Sequence, residues 1–310
     1  MTLVVPPLQS PMADSGFDGA AETSWADVRR RFFRNKVAMF CLLVVIGIML
    51  VGIFADVIAP YGYDDQFVGG LRESPSTKFL LGTDQLGRDL FSRIVFGARL
   101  SIMIALGTVF FSLILQMLVG GIAGWRGGLF DTIAMRIADA LMAIPYVAIA
   151  FAGLTIFTFL RGSLSFTESI IFVVIISVIR QIPTGARQMR ALVIQYKGQD
   201  YVEAARAVGC SEPQIVIRHL VPNIAPQFIA GLGQSVGVAI INESAYSFLG
   251  VGVQEPQPSW GLLLAGARGE LTSHPHLFWA PAICFAVTIT AFLFVTEGLR
   301  DATDPKLRGA

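Results

Sequence analysis

Six long stretches of the chain carry almost no charge. Residues 37–55, 100–125, 140–160, 223–242 and 277–296 contain no Asp, Glu, Lys or Arg, and residues 162–179 are interrupted only by Glu168. A helix needs about 20 mostly apolar residues to cross roughly 30 Å of hydrocarbon, and each stretch meets or approaches that length. Core helices of soluble domains rarely run so far without a charged face. The pattern therefore predicts an all-α, polytopic integral membrane protein with six transmembrane helices.

An even number of spans puts both termini on one side, and the distribution of Lys and Arg chooses which. With the termini cytoplasmic, sixteen of the 23 Lys and Arg fall on inner segments and seven on outer ones. The expected organisation is a cytoplasmic tail over 1–36, a first transmembrane helix over 37–59 and an external segment over 60–99. A core over 100–300 and a cytoplasmic tail over 301–310 complete it. Residues 1–24 are rich in Pro, Ser, Ala, Gly and Asp and read as a disordered tail. Arg30 and Arg31 before Phe32 superficially resemble a twin-arginine signal, but the apolar run that follows is long for a signal peptide and lacks a small-residue cleavage site. In the external segment, residues 85–98 place Leu86, Leu90, Ile94 and Val95 on one side, as in an amphipathic helix lying at the membrane surface.

The inner segment over 180–222 is the most polar part of the core, yet its pattern is that of ordered structure. Asp200 followed by Glu203 predicts a capped helix start. Gly209 sits where the end of that helix requires a positive φ. Ser211 with Gln214, and Pro213 in the first turn, predict a second helix start. Pro222 ends that helix or begins the next element. The apolar residues Tyr201, Val202 and Ala205, then Ile215, Val216 and Leu220, give each short helix a face to pack. The expected unit is helix, glycine turn, helix, suited to docking.

Composition agrees with a membrane protein: 54% of residues are hydrophobic and 15% charged, against about 25% charged in soluble domains. The net charge of +1 argues against a nucleic-acid partner and leaves membrane lipid as the surroundings. Cys41, Cys210 and Cys284 have neither disulfide nor metal spacing. His274 and His276 flank Pro275 without an evident third ligand, so no metal site is expected. No catalytic constellation stands out. Residues 82–87 have the G-x-x-x-x-G spacing of a phosphate loop, but Arg88 and Asp89 replace the Lys and Ser/Thr that such a loop needs. The chain is expected to bind no cofactor itself.

Within the polar loop, Glu203-Ala204-Ala205, three residues, Gly209, nine residues, then His219-Leu220-Val221-Pro222 resembles the E-A-A loop of ABC-importer permeases, with His219 and Val221 in place of the common Ile and Leu. Arg218-His219 is similar to the dipeptide/oligopeptide/nickel subgroup. Further blocks resemble its C-type subunit: Arg31-Phe32 with Arg34-Asn35-Lys36, and Leu81-Gly82-Thr83-Asp84 with Gly87-Arg88-Asp89. Glu243-Ser244-Ala245 with Ser247-Phe248-Leu249-Gly250, Pro258-Ser259-Trp260-Gly261, and Gly298-Leu299-Arg300-Asp301 with Asp304-Pro305 complete the set. The resemblance covers about residues 29–308.

The resemblance implies the transmembrane domain of a type I ABC importer in a bacterial inner membrane, carrying a cytoplasmic coupling-helix loop over 199–222. It implies a second related permease, two cytoplasmic ATPase subunits holding ATP and Mg, and an external substrate-binding protein. Peptides are the expected cargo. Nickel, glutathione or an oligosaccharide on the same architecture is the alternative, and an ion-coupled secondary transporter or intramembrane enzyme is the reading from another class. Glu203, Ala204, Ala205, Gly209 and Pro222 are the expected ATPase-coupling residues; Glu203 acts either by pairing with the ATPase or only by capping its own helix. Gln234, Ser235, Asn242 and Glu243 are candidates for the translocation pathway or a gate. Each has a competing structural role, as interhelix partners for the first three and local pairing for Glu243. Gly233 and Gly237, four apart, read first as a close-packing face.

Overall fold

The computed structural model describes residues 25–162 and 165–303. The tail expected over residues 1–24, and Asp304 and Pro305 of the C-terminal block, lie outside the described residues. Among the described residues the chain is helical, with one isolated β-bridge between Thr83 and Asp89. Four helices are long and apolar enough to cross a membrane, or up to six if each of two bent pairs is one span.

A short amphipathic helix α1 (Trp25–Arg34) leads into α2 (Lys36–Ile53), whose first turn is capped by the Asn35 carboxamide accepting from the Ala38 N–H at 3.1 Å. A break at Phe54 and the turn α3 (Ala55–Ile58) end the first span. The second span is α4 (Leu90–Arg126), 37 residues long and so about 55 Å at 1.5 Å per residue. This corrects the surface helix expected over 85–98. Residues 85–88 form a turn, and the Asp89 carboxylate accepts the Ser92 N–H at 2.8 Å. That cap starts a helix at Leu90, and nothing after Ala98 stops it.

The third candidate span is bent. Helices α5 (Gly128–Ala143) and α6 (Tyr146–Arg161) meet at 89°, because Pro145 disfavours helical backbone at Ile144, which is extended (φ −86°, ψ 128°). The fourth, α7 (Phe166–Lys197), continues beyond the expected boundary at residue 179, taking up much of the segment read as polar loop. Next come α8 (Asp200–Ala207), the short α9 (Glu212–Gln214) and a π-helical turn over Ile215–Leu220. That turn continues without a break into α10 (Val221–Ala230), and the fifth span is this stretch, Glu212–Ala230, with α11 (Leu232–Phe248), bent by 49° at Gly231. A short α12 (Trp260–Gly266) precedes the last span, α13 (His276–Thr303).

Helix α4 is the centre of the bundle. On one side Cys41, Val45, Ile94, Ala105, Ile240 and Phe292 join α2, α4, α11 and α13 in one apolar cluster. On the other, Ile104, Val173 and Tyr246 join α4 to α7 and α11. Small residues set how closely α4 and α7 approach. A Cβ on Gly120 would lie 2.2 Å from the Ala186 carbonyl oxygen, and one on Gly185 would lie 2.0 Å from the Gln116 carboxamide carbon. The contact is polar as well: the Gln116 amide donates to the Gln181 carbonyl at 3.1 Å. Gly233, read as a packing residue, does face α13, where Thr296 Oγ1 would lie 2.3 Å from a Cβ. Large apolar side chains such as Phe40, Phe110 and Phe159 point away from the bundle and are exposed, as hydrocarbon-facing residues would be.

Gly120→Ala should force α4 and α7 apart and cost about 1–3 kcal/mol by overpacking. Gly121→Ala, with nothing within 4 Å of its Cβ position, should be close to neutral. Thermal unfolding of the two purified variants in detergent compares them, and equal midpoints would contradict the seam.

Candidate functional site

The bundle has two polar ends. At the end bearing α1 and the last turn of α13, α8 and the π-turn form a compact pair. Gly198 closes α7, and α8 starts two residues later. Gln199, not Asp200, is the N-cap, and its side chain makes no capping hydrogen bond. The expected Asp200–Glu203 box does not form. A short turn at Gly198 and Gln199 separates α7 from α8, Asp200 already has helical backbone, and both carboxylates lie in the first turn, where the helix dipole favours them. At the next start, the Ser211 N–H and hydroxyl both donate to the Gln214 carboxamide oxygen, at 2.9 and 3.0 Å. Gly209 between them has φ +82° and open space around it. Backbone conformation, not crowding, calls for glycine there.

The pair has an inner and an outer face. Val202, Ala205 and Ile215 are buried and pack with Tyr201, Cys210 and Trp125. Glu203, Ala204 and Gly209 are exposed, as are Val208 at 79% and Ile217 at 68%. The two alanines are therefore divided: Ala205 packs inward and Ala204 faces out. Among the described residues no hydrogen bond or ion pair holds the Glu203 carboxylate. Pro222 does not stop a helix. It lies in the first turn of α10, and the turn before it widens so that the Val221 N–H reaches the Val216 carbonyl.

At the same end lies a cavity of about 720 Å³ between α4, α7, α10, α11 and α13. Its polar lining comprises Gln116, Gln188, Gln195, Gln227, Gln234 and Ser235, with the charged residues Glu297 and Arg300. Two of the four proposed pathway residues are thus together. Ser235 donates to the Gly231 carbonyl at 3.2 Å, while Gln234 is exposed. Asn242 and Glu243 lie further along α11, outside the cavity. Glu243 is wholly buried. Its carboxylate accepts from the Ser101 hydroxyl of α4 at 2.9 Å and from Ser247 at 2.8 Å, with Ser244 at 3.3 Å. Asn242 is 2% exposed, and its amide nitrogen has no partner.

At the opposite end a charged knot fastens the loop before α4. Asp84 accepts from Arg88 Nε at 2.7 Å and Arg93 Nη1 at 2.5 Å. Both arginines reach across to Glu255, at 2.9 and 3.1 Å. The Trp260 indole N–H donates to the Ile94 carbonyl at 3.2 Å. A second clasp joins Arg72 to Glu270 at 2.7 Å, and the same carboxylate meets His274 at 2.8 Å. His274 thus serves a carboxylate contact. Burial alone would raise the Asp84 carboxyl, but the charge of Arg93, together with the Arg88 N–H and guanidinium, outweighs it and holds the group below its ordinary value. Sequence patterns do not reveal Glu255, a lone acid in a loop whose partners lie more than a hundred residues away.

Residues 116–309 match the family described as binding-protein-dependent transport system inner membrane component. Residues 23–75 match the N-terminal TM domain of oligopeptide transport permease C. The chain belongs to this permease family. It is 37% identical to the glutathione transport system permease protein GsiD of Escherichia coli O1:K1, over 93% of this chain and 92% of that protein. It is 35% identical to the GsiD of Pectobacterium atrosepticum, over 94% of each. In fold it is similar to a chain of the inward-facing MetNI methionine ABC transporter, with TM-score 0.56 and 15% identity over 69% of this chain and 98% of that one. The protein is thus a multi-pass inner-membrane permease subunit of an ABC importer with the type I transmembrane fold, and the ion-coupled carrier reading falls away.

In the permease, blocks far apart in sequence meet at the opposite end. Asp84, Arg88 and Arg93 join Glu255, and Trp260 packs against Gly97, 3.2 Å from where its Cβ would be. A Cβ on Gly261 would lie 2.3 Å from the Ser244 carbonyl. These residues lock the loops to the bundle.

Asp84→Ala should strip two buried guanidinium groups of their one buried carboxylate, leaving them the exposed Glu255, and cost up to about 3–5 kcal/mol. Because the folded-state value of Asp84 is lowered, its contribution is complete above the unfolded value near pH 4 and is lost as pH falls through the lower folded one. Hydrogen exchange over residues 64–89 should therefore be pH-independent in stability terms from about pH 5 to 8 and loosen only below about pH 4. Loosening between pH 5 and 8 would contradict the knot.

Proposed function

We propose that the permease forms half of a translocation pathway for peptide-type solutes and couples it to ATP hydrolysis on partner subunits. A second, related permease completes the pathway. Two cytoplasmic ATPases hold ATP and Mg, and an external binding protein delivers the solute. Both termini, and with them the α8–Gly209–π-turn pair, lie on the cytoplasmic side, as the excess of Lys and Arg at that end favours.

The observation that carries the reading is the outward face of that pair. Glu203, Ala204, Val208 and Ile217 present an acid among small and apolar side chains, while the inner face is packed. Such a surface suits a protein groove better than water. Closure of an ATPase dimer around two such pairs would move them as rigid bodies, and packed spans convert that movement into alternating access. Gln234 and Ser235 then belong to the cytoplasmic half of the pathway. The five glutamine carboxamides around the cavity offer donors and acceptors in equal measure, as peptide backbone does. Asn242 and Glu243 are supporting residues of α11 on this reading. Glutathione, named for the relatives, is itself a small peptide and belongs to the same solute class.

Gly209→Pro removes the positive φ, and Glu203→Arg reverses the charge on the outer face. Both should abolish most uptake while membrane insertion stays intact; normal uptake in both would sink the coupling assignment. The cargo is tested by reconstituting the importer with its binding protein. ATP hydrolysis should rise with di- or oligopeptides or glutathione, and stimulation by nickel or an oligosaccharide alone would refute the peptide reading.

A further inference from the structure

We infer that Trp125, at the last turn of α4, is the positioning residue through which movement of α8, within the α8–Gly209–π-turn pair, reaches the spans. This rests on reading that pair as the ATPase-coupling loop. Two small apolar clusters lie at this end. One holds Val202, Ala205 and Ile215 of the pair; the other holds Met189, Val193, Leu220 and Ile224 of α7, the π-turn and α10. Among the described residues, Trp125 is the one side chain that packs against both. The π-turn meets the spans directly through Leu220 and its continuation into α10, so Trp125 is the bridge from α8 to the seam of α4 and α7.

The root of the bridge is fixed. The neighbouring Gly124 lies so close to α7 that a Cβ there would sit 2.8 Å from both the Arg190 carbonyl oxygen and Val193 Cβ. Lys197, the last residue of α7, donates to the Trp125 carbonyl. Its ammonium also sits 5.1 Å from the indole ring centroid. From the opposite element, the Arg206 guanidinium of α8 lies 5.6 Å from the same ring. Both distances fall within cation–π range. The indole is thus held by α7 on one side and by α8 on the other. By contrast, α8 is joined to its neighbours in sequence only through short turns at Gly198–Gln199 and Gly209, which transmit little force. A rigid aromatic plate in a close-packed contact does not compress, so displacement of α8 is passed to the seam of α4 and α7 and not absorbed.

The test uses the intact importer, purified with its ATPases and reconstituted in vesicles with its binding protein. The readout is solute delivered per ATP hydrolysed. Trp125→Ala should lower this ratio severalfold while the ATPases still copurify and basal hydrolysis persists. Trp125→Phe, which keeps an aromatic plate, should recover most of it. If Trp125→Ala alone fails to assemble, Trp125→Leu decides by the same ratio. An unchanged ratio overturns the inference, and so does loss of the ATPases from the alanine, leucine and phenylalanine variants alike, which would make Trp125 part of the docking surface. Gly209→Pro runs in parallel. If it uncouples and the Trp125 variants do not, the inference on Trp125 fails alone; if it leaves the ratio unchanged, the coupling reading itself fails.

Discussion

At Gly120 the backbone of α4 comes into contact with the Ala186 carbonyl of α7, and most of the molecule is arranged around that contact. Hydrocarbon supplies no hydrophobic drive between spans, so helices associate through close packing and hydrogen bonds. Gly120, Gly124 and Gly185 supply the first, and the Gln116 carboxamide on the Gln181 carbonyl supplies the second. The seam fixes the wall from which the polar cavity is built. It also determines where α4 ends, and hence where Trp125 meets the loop pair.

The two ends of the bundle are built on different physics. At one end, the buried Asp84, Arg88 and Arg93 and the exposed Glu255 cross-link loop, span and loop. Each guanidinium is held by two carboxylates at once, so the arrangement is stiff. At the other end, α8 is held by a few apolar side chains and one cation–π contact, Arg206 on Trp125. Such contacts can slide or pivot at small cost. A stiff end opposite a lightly held one is the mechanical asymmetry that the proposed coupling requires.

Glu243 illustrates how a membrane carboxylate is accommodated. Three serine hydroxyls, from α4 and from its own helix, surround it. Its burial in a span therefore does not require a place in the pathway. The cavity gathers residues less conspicuous in sequence, chiefly glutamines, whose neutral amides read locally as ordinary polar helix positions.

The helical membrane fold and the family were legible from the chain alone, because the cost of placing charge or unpaired backbone in hydrocarbon leaves a signature in every window of about 20 residues. The glycine turn between two short helices was equally legible, because Gly209 must tolerate a positive φ. Local chemistry failed where neighbours decide. The Asp200–Glu203 cap gave way to a helix whose N-cap lies one residue earlier, at Gln199, the surface helix over 85–98 became the start of α4, and Pro145 bent a span that composition made look straight. Which of Ala204 and Ala205 faces out, that Glu255 completes the charged knot, and that Trp125 joins two clusters depended on contacts between residues far apart in sequence. Sequence periodicity reports what each helix avoids, namely charge in hydrocarbon; only the packed bundle decides which side chains meet.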